Sequence, residues 1–244
     1  MEKTQRPRVR GYNRPMCSRF ALKSPPAALA AFLGLEKSLD WKPRYNVAPS
    51  QTIPVAIHPL GQEKREAKFL HWGFAATWHQ GGRLLVNVRS EDLQDKPIFQ
   101  ESFEKWRCLV PVDGFYEWRH EARETKPFYI RMKSGKPFAL AGLWAPQALH
   151  GQTTDSCAIL TTAPNDTVKA IHERMPVIVA PEDFGLWLDS NDVRDFEKIR
   201  ELFKSYPSEP LEAYEVETWV NDPRHDDPRC LEPFQNPGTL PLPF

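Results

Sequence analysis

The middle of the chain reads Arg107-Cys108-Leu109-Val110-Pro111-Val112-Asp113-Gly114-Phe115-Tyr116-Glu117-Trp118-Arg119. Two runs in this stretch, residues 108–112 and 115–119, have the length and the aliphatic and aromatic content that are typical of β-strands. Between them lies the pair Asp113-Gly114, which suits the tight turn of a β-hairpin. The stretch therefore predicts a hairpin at the centre of a β-rich fold.

Short apolar runs also flank this stretch on both sides. Further strands are predicted at residues 17–22, 53–57, 69–72, 156–162 and 176–179, and a second hairpin pairs 128–132 with 138–143. Short helices are predicted at residues 27–33, 98–103, 166–171, 182–188 and 192–205, and Asn165 can cap the third of them. The pattern predicts an α+β fold, with a curved, antiparallel, barrel-like β-sheet core and short helices at its periphery.

Length and composition limit the organisation of the chain. Its 244 residues, 41% of them hydrophobic, can bury one large core. We expect residues 17–220 to form a single domain. Residues 1–16 would be a basic leader or a mis-assigned start, and the proline-rich residues 221–244 an extended or disordered tail. No apolar run approaches the ~18–20 residues that cross a bilayer, so no membrane partner is expected.

The four cysteines, at positions 17, 108, 157 and 230, lie far apart and form no C-x-x-C pair. This spacing argues against a disulfide framework and against a zinc site. We expect a reduced, cytoplasmic protein that uses no metal and no cofactor.

The formal net charge of zero hides an uneven distribution of charge. Residues 1–16 carry a net charge of +4, residues 17–181 carry +5, and residues 182–244 carry −9. Such asymmetry is compatible with a polyanionic partner at one face only. The isoelectric point of 7.1 predicts modest non-specific affinity for DNA, which leaves selectivity to chemistry at particular residues.

The pair Met16-Cys17 looks like a second translation start. Removal of the methionine would leave Cys17 with a free α-amine beside its thiol, and these two nucleophiles can close an aldehyde into a thiazolidine ring. Ordinary pKa values of ~7.7–8.0 for the amine and ~8.5 for the thiol make both partly reactive near neutral pH. The alternative is a buried, inert cysteine in a first strand.

Three further polar positions allow a chemical interpretation. In the segment 86–91, the two-residue period of a strand places Asn87 and Arg89 on one face; the alternative is a solvated face. Glu117 is flanked by Tyr116 and Trp118, and aromatic walls can raise the pKa of a carboxyl toward neutrality; the alternative is an exposed glutamate on an edge strand. His172, between a short helix and a strand, could shuttle protons; the alternative is a structural histidine.

Taken together, these segments resemble the SOS response-associated peptidase (SRAP) family, which shields abasic sites in single-stranded DNA. The matching segments are Met16-Cys17-x-Arg19-Phe20, Tyr45-Asn46-x-Ala48-Pro49, Trp72-Gly73, Asn87-x-Arg89-x-Glu91, the stretch from Arg107 to Trp118, Thr161-Thr162-x-x-Asn165, Ile171-His172-x-Arg174-Met175-Pro176 and, more weakly, Trp219-Val220-Asn221. Two features depart from the family pattern. Ser18 stands where the family usually has glycine, and fifteen residues precede Met16.

The resemblance implies a role for each matched residue. Cys17 would be the nucleophile, Asn87 and Glu117 would line its pocket, and His172 would be the acid/base partner. The implied DNA-binding residues are Arg19, Arg89, Arg174, Trp72 and Trp78. The arginines would hold phosphates and the tryptophans would offer faces to unpaired bases, contacts typically worth ~1–3 kcal/mol per base.

The resemblance also implies an activity. The protein would be a sensor and shield of abasic sites, forming a thiazolidine DNA–protein cross-link through Cys17, with self-processing that exposes this residue and lyase-type activity. Its partner would be single-stranded DNA containing abasic sites, and the protein would be a nucleoid-associated monomer. Two other classes stay open: a cysteine peptidase that pairs Cys17 with His172 and acts on other proteins, and a module that binds single-stranded nucleic acid without covalent chemistry.

Overall fold

The computed structural model describes residues 18–75, 84–93, 96–122, 124–149, 152–189 and 196–235. The strands in these residues are β1 (Phe20–Leu22), β2 (Arg44–Val47), β3 (Thr52–Ile57), β4 (Glu66–Trp72), β5 (Phe74–Ala75), β6 (Leu84–Leu85), β7 (Asn87–Arg89), β8 (Arg107–Val112), β9 (Gly114–His120), β10 (Thr125–Met132), β11 (Phe138–Leu149), β12 (Gln152–Thr162), β13 (Met175–Pro176), β14 (Ile178–Val179) and β15 (Leu211–Glu215). The α-helices are α1 (Pro26–Leu33), α2 (Pro97–Lys105), α3 (Asp166–Lys169), α4 (Phe184–Leu188) and α5 (Phe196–Glu201), and short 3₁₀-helices cover Ser90–Leu93, Pro181–Asp183, Thr218–Asn221 and Pro228–Leu231.

A closed ring of strands forms the core of the fold. The ring runs β12-β4-β3-β8-β11 and returns to β12, with every contact antiparallel except that between β4 and β12. Alternate side chains point into such a ring, and the buried residues of its strands fill it. The predicted α+β class with a barrel-like core is confirmed.

A second sheet packs beside the ring, with strand order β15-β10-β9-β1-β2. Strand β9 lies in its middle, between β10 and β1, and all pairings are antiparallel. This sheet therefore places β1, near the start of the described chain, next to β9.

The hairpin predicted across Asp113-Gly114 is wrong, because β8 belongs to the ring and β9 to the second sheet. Asp113 lies where the chain crosses between them. Its amide donates to the carbonyl of Ala21 at 2.8 Å, and its carboxylate accepts the amides of Lys23 and Ser24 at 2.6 and 2.8 Å. The second predicted hairpin is wrong for the same reason, since β10 lies in the second sheet and β11 in the ring.

Gly114 is required by close packing at this crossing. A Cβ atom there would overlap the Tyr129 ring and lie 2.6 Å from the carbonyl oxygen of Ile130. We expect Gly114→Ala to lower the free energy of unfolding by about 3 kcal/mol, measured by urea denaturation. Gly185→Ala is the control, because no atom of the described residues lies within 4 Å of its added Cβ. Equal effects of the two substitutions would contradict this explanation.

The helices agree better with the sequence. Helix α1 has proline in its first turn and ends at Gly34, with φ of 69°. Asn165 caps α3, as predicted, by accepting the amide of Val168 at 3.0 Å. Within the predicted segment 192–205, the described residues begin at 196 and form α5 only as far as Glu201, so the predicted helix is too long at this end. No helix in the described ranges is both long and apolar enough to cross a membrane.

Residues 221–235 differ from the predicted extended tail. Val220 and Cys230 are fully buried in a small cluster with Tyr116 and Tyr129. A 3₁₀-helix covers Pro228–Leu231, and its cap Asp227 accepts the amide of Arg229. Polar tethers and two buried apolar side chains therefore fix a segment in which prolines and weak periodicity had suggested disorder.

Candidate functional site

Glu117 lies opposite the start of the described chain. Strands β1 and β9 pair with Phe20 opposite Phe115 and Ala21 opposite Gly114, and beyond β1 the carbonyl of Arg19 accepts the amide of Tyr116 at 3.0 Å. Continued by one more residue, this register would bring Ser18 opposite Glu117. Glu117 is only 3% exposed on a central strand, so the alternative of an exposed edge glutamate is wrong. Cys17, the residue before Ser18, lies outside the described residues together with residues 1–16.

Asn87 and Arg89 lie on the short strand β7, which pairs in parallel with β12. Asn87 is opposite Ile159 and Arg89 is opposite Thr161. The predicted alternation is confirmed, since Val88 is buried while Asn87 is half-buried and Arg89 is exposed. Asn87 is therefore more buried than it would be on a fully solvated strand face, which was the alternative.

His172 follows helix α3 directly. Its amide donates to the carbonyl of Val168 at 2.9 Å, and its ring Nδ1 accepts the amide of Arg174 at 3.1 Å. Because Nδ1 is an acceptor, the neutral ring carries its proton on Nε2. Burial lowers the pKa of His172, and charge repulsion from His120, at the end of β9, lowers it further.

This lowered pKa makes stability depend on pH. The unfolded state takes up a proton near the ordinary imidazole pKa of ~6.5, at which the folded state still resists protonation. The free energy of unfolding should therefore fall as the pH is lowered through that value. We expect His172→Gln to reduce the slope of this fall in urea denaturation series between neutral and mildly acidic pH. An unchanged slope would contradict the inferred environment of His172.

Arg174 connects the segment carrying Asn87 to the segment carrying His172. Its guanidinium donates two hydrogen bonds, of 2.5 and 2.7 Å, to the carboxylate of Glu91. It also donates to the carbonyl of Thr161 at 2.7 Å. Its side chain is only 15% exposed. The pair lowers the pKa of the Glu91 carboxyl. The predicted DNA contact of Arg174 stays a prediction, but its guanidinium already has protein partners.

Breaking this ion pair should destabilise the protein. We expect Glu91→Ala to lower the free energy of unfolding by about 1–2 kcal/mol at neutral pH, because a largely buried guanidinium loses a bidentate carboxylate. The double swap Glu91→Arg with Arg174→Glu should recover part of this loss, measured as a coupling energy in a double-mutant cycle. The control is Lys204→Met, in an ion pair with Glu201 whose side chains are 73% and 65% exposed. Additive single effects would contradict the pairing.

Arg19 is the point at which several matched segments meet. Its Nη1 donates to the side-chain oxygen of Asn46 at 2.8 Å and to the carbonyl of Val220 at 3.0 Å. Its guanidinium lies 5.7 Å from the ring centre of Trp118, within the range of a cation–π contact. The Trp118 indole in turn donates to Asn221 at 2.7 Å. Residues about 200 positions apart in sequence thus hold one side chain beside the start of β1.

The structure corrects the aromatic part of the predicted DNA surface. Trp72 is fully buried, its indole donates to the carbonyl of Val86 at 3.0 Å, and its ring packs 5.2 Å from that of Phe20. It is a core residue and offers no face to a base. Trp78 lies outside the described residues.

Sequence reasoning missed the role of Asn46. Asn46 was noted only as part of a matched segment, whereas it lies in β2 and is fully buried. Its side chain donates to the carbonyls of Val220, Asp222 and His225 at 3.1, 3.1 and 2.7 Å. No periodic pattern marks such a residue, because the carbonyls that it binds lie more than 170 positions away.

Comparison with known proteins agrees with this arrangement. The profile of the family described as SOS response associated peptidase (SRAP) matches residues 16–223. The chain is 35% identical over 225 residues to the abasic site processing protein YoqW of Bacillus subtilis (strain 168), covering 89% of this chain and 99% of that protein. It is 28% identical over 225 residues to the abasic site processing protein HMCES of Xenopus tropicalis, covering 78% of this chain and 66% of that protein.

Solved structures show the same fold. A crystal structure of a protein from Bacteroides thetaiotaomicron superposes with a TM-score of 0.77 at 24% identity, covering 90% of this chain and all of that one. A phage-related protein of Bordetella bronchiseptica gives a TM-score of 0.65 at 28% identity, covering 82% of this chain and 94% of that one. The profile match spans most of the chain and includes every matched segment of the candidate site. The chain therefore belongs to the SOS response associated peptidase (SRAP) family.

Proposed function

We propose that this protein senses and shields abasic sites in single-stranded DNA by forming a thiazolidine cross-link through Cys17. The observation that supports the proposal is the pairing of β1 with β9, whose register, continued past Phe20, leads the residue after Cys17 toward the buried Glu117. Relatives that carry the name abasic site processing protein support the choice of lesion.

The chemistry uses the open-chain aldehyde of the abasic sugar. The α-amine of Cys17 adds to C1′, and the resulting carbinolamine loses water to give an imine. The thiolate of Cys17 then adds to the imine carbon, and the ring nitrogen takes up a proton. One water leaves overall, and neither oxidant nor reductant is needed.

Three side chains assist these steps. Glu117 moves protons during addition and dehydration, a role for which a buried carboxyl beside the reacting terminus is suited. His172 assists opening of the closed sugar by donating a hydrogen bond from Nε2 to the ring oxygen, since Nδ1 is occupied by the Arg174 amide. Asn87 orients the amine by hydrogen bonding. Arg89, exposed at the end of β7, contacts a phosphate next to the lesion.

The free α-amine requires a chain that begins at Cys17. We infer that self-processing after Met16, or initiation at Met16 followed by loss of that methionine, produces it. The two routes differ in a testable way, since only self-processing is expected to depend on the residues of the site. Glu117→Gln and Asn87→Ala forms of the full reading frame would then retain residues 1–16.

Mass spectrometry of the protein mixed with single-stranded oligonucleotides tests the proposal. We expect a covalent adduct with an oligonucleotide that contains an abasic aldehyde. We expect none with the same sequence carrying an intact base or a tetrahydrofuran residue, which has no aldehyde. Tight binding to all three without any adduct would instead indicate a non-covalent nucleic-acid-binding module. Hydrolysis of unrelated peptides would favour a cysteine peptidase.

A further inference from the structure

We propose that Asp226 and Asn46 are positioning residues through which the C-terminal segment, residues 218–231, sets the Arg19 guanidinium beside the reacting terminus. This inference rests on the proposed function, because it assigns the orientation of Arg19 toward a DNA phosphate. It adds two residues to the site and gives a role to a part of the chain for which a tail had been expected.

The first link joins the C-terminal segment to strand β2, which is the edge strand of the second sheet. One carboxylate oxygen of Asp226 accepts the amides of Tyr45 and Asn46 at 2.6 and 2.8 Å, and the other accepts from the guanidinium of Arg44. At this sheet edge, a single carboxylate thus accepts backbone amides that would otherwise need a neighbouring strand. Charge-assisted bonds of this kind are the stronger class of hydrogen bond.

The second link joins β2 to Arg19. With its amide group, the fully buried side chain of Asn46 holds three carbonyls of the C-terminal segment, those of Val220, Asp222 and His225. With its oxygen it accepts from Arg19 Nη1, which also donates to the carbonyl of Val220. The position of Arg19 therefore depends on Asn46 directly and on Asp226 through the backbone of β2.

Ring contacts make the C-terminal segment rigid at this point. The rings of Trp219 and His225 stack at 3.4 Å with an angle of 2° between their planes, and the Arg229 guanidinium lies 3.9 Å from the Trp219 ring centre. On the other side, Trp118 bridges Arg19 and Asn221. Within the described residues, the hydrogen bonds of Arg19 use Nη1, so the other two guanidinium nitrogens would meet a phosphate.

Binding of a tetrahydrofuran-containing single strand tests the inference without the covalent step. We expect Asp226→Ala to weaken binding about tenfold and to reduce the slope of log K against log salt by about 0.7, the value for one lost phosphate contact on a single strand. Loss of a carboxylate alone would strengthen binding to a polyanion, so a weaker complex isolates the effect on position.

Glu232, just beyond the C-terminal segment, provides a control. It is exposed, and Glu232→Ala removes the same charge without touching β2 or Arg19. We expect this variant to bind within twofold of wild type. Arg19→Ala should reproduce the loss seen in Asp226→Ala, and the double variant should bind no more weakly than Arg19→Ala alone.

Two results would overturn the inference. One is wild-type binding and salt slope in Asp226→Ala. The other is a loss that multiplies with that of Arg19→Ala, which indicates a structural effect unrelated to Arg19. If Asp226→Ala does not fold, Asp226→Ser keeps a small polar group but is too short to bond the two amides and Arg44 together; a wild-type slope in that variant overturns the inference equally. Absence of a cross-link in wild type would refute the proposed function but leave this binding test intact.

Discussion

Cys17→Ala is expected to abolish the covalent adduct with abasic single-stranded DNA. The substitution keeps the α-amine but removes the thiol that traps the imine, so any product is a reversible imine. Cys17→Ser should behave in the same way, because a hydroxyl is far less nucleophilic than a thiolate near neutral pH. Denaturing electrophoresis and intact mass after long incubation measure the stable adduct.

Borohydride reduction sharpens this experiment. Reduction converts an imine into a stable amine, so it should reveal an adduct in Cys17→Ala and Cys17→Ser if these chains also begin at residue 17. Cys157→Ala is the control for loss of a thiol, because Cys157 is fully buried and burial raises its thiol pKa. A stable, unreduced adduct in Cys17→Ala at the wild-type rate would show that another group reacts.

In a chain that begins at Cys17, Glu117→Gln is expected to slow cross-linking by about 10²–10⁴-fold, the usual contribution of a positioned acid/base group. Binding to tetrahydrofuran-containing DNA should change little, because the carboxyl lies buried on a central strand rather than on the phosphate-facing surface. Glu121→Gln is the control, since Glu121 lies just beyond the same strand and pairs with Arg119 at the surface. Single-turnover rates at saturating protein separate the two variants.

An equal effect of the two glutamates would contradict the role of Glu117. Matched losses of rate and of binding in Glu117→Gln would indicate a structural carboxyl instead. Comparing the cross-linking rate with the affinity for tetrahydrofuran-containing DNA therefore distinguishes an acid/base role of Glu117 from a structural one.

Local features of the chain were predictable from its sequence. The Asn165 cap of α3 acts within a few residues, and it was confirmed. The alternation that buries Val88 and turns Asn87 the other way is also local. Such signals depend on backbone geometry and neighbouring side chains, which a single sequence displays.

Pairing between strands was less predictable. Asp113-Gly114 has the composition of a hairpin turn, yet Gly114 is there because Tyr129 and Ile130 pack against its backbone. The family resemblance assigned Trp72 to a base-stacking surface, and only the tertiary fold places it against Phe20. The C-terminal segment seemed disordered because its tethers, Asp226 above all, are polar bonds to residues about 180 positions away.

The intact mass of protein expressed from the full reading frame, after incubation with an abasic oligonucleotide, tests the central claim most directly. We predict one covalent species, with the mass of the chain beginning at Cys17 plus the oligonucleotide, less one water. A cross-linked species that retains residues 1–16, or the absence of any adduct, would contradict the assignment of Cys17 as the reacting terminus.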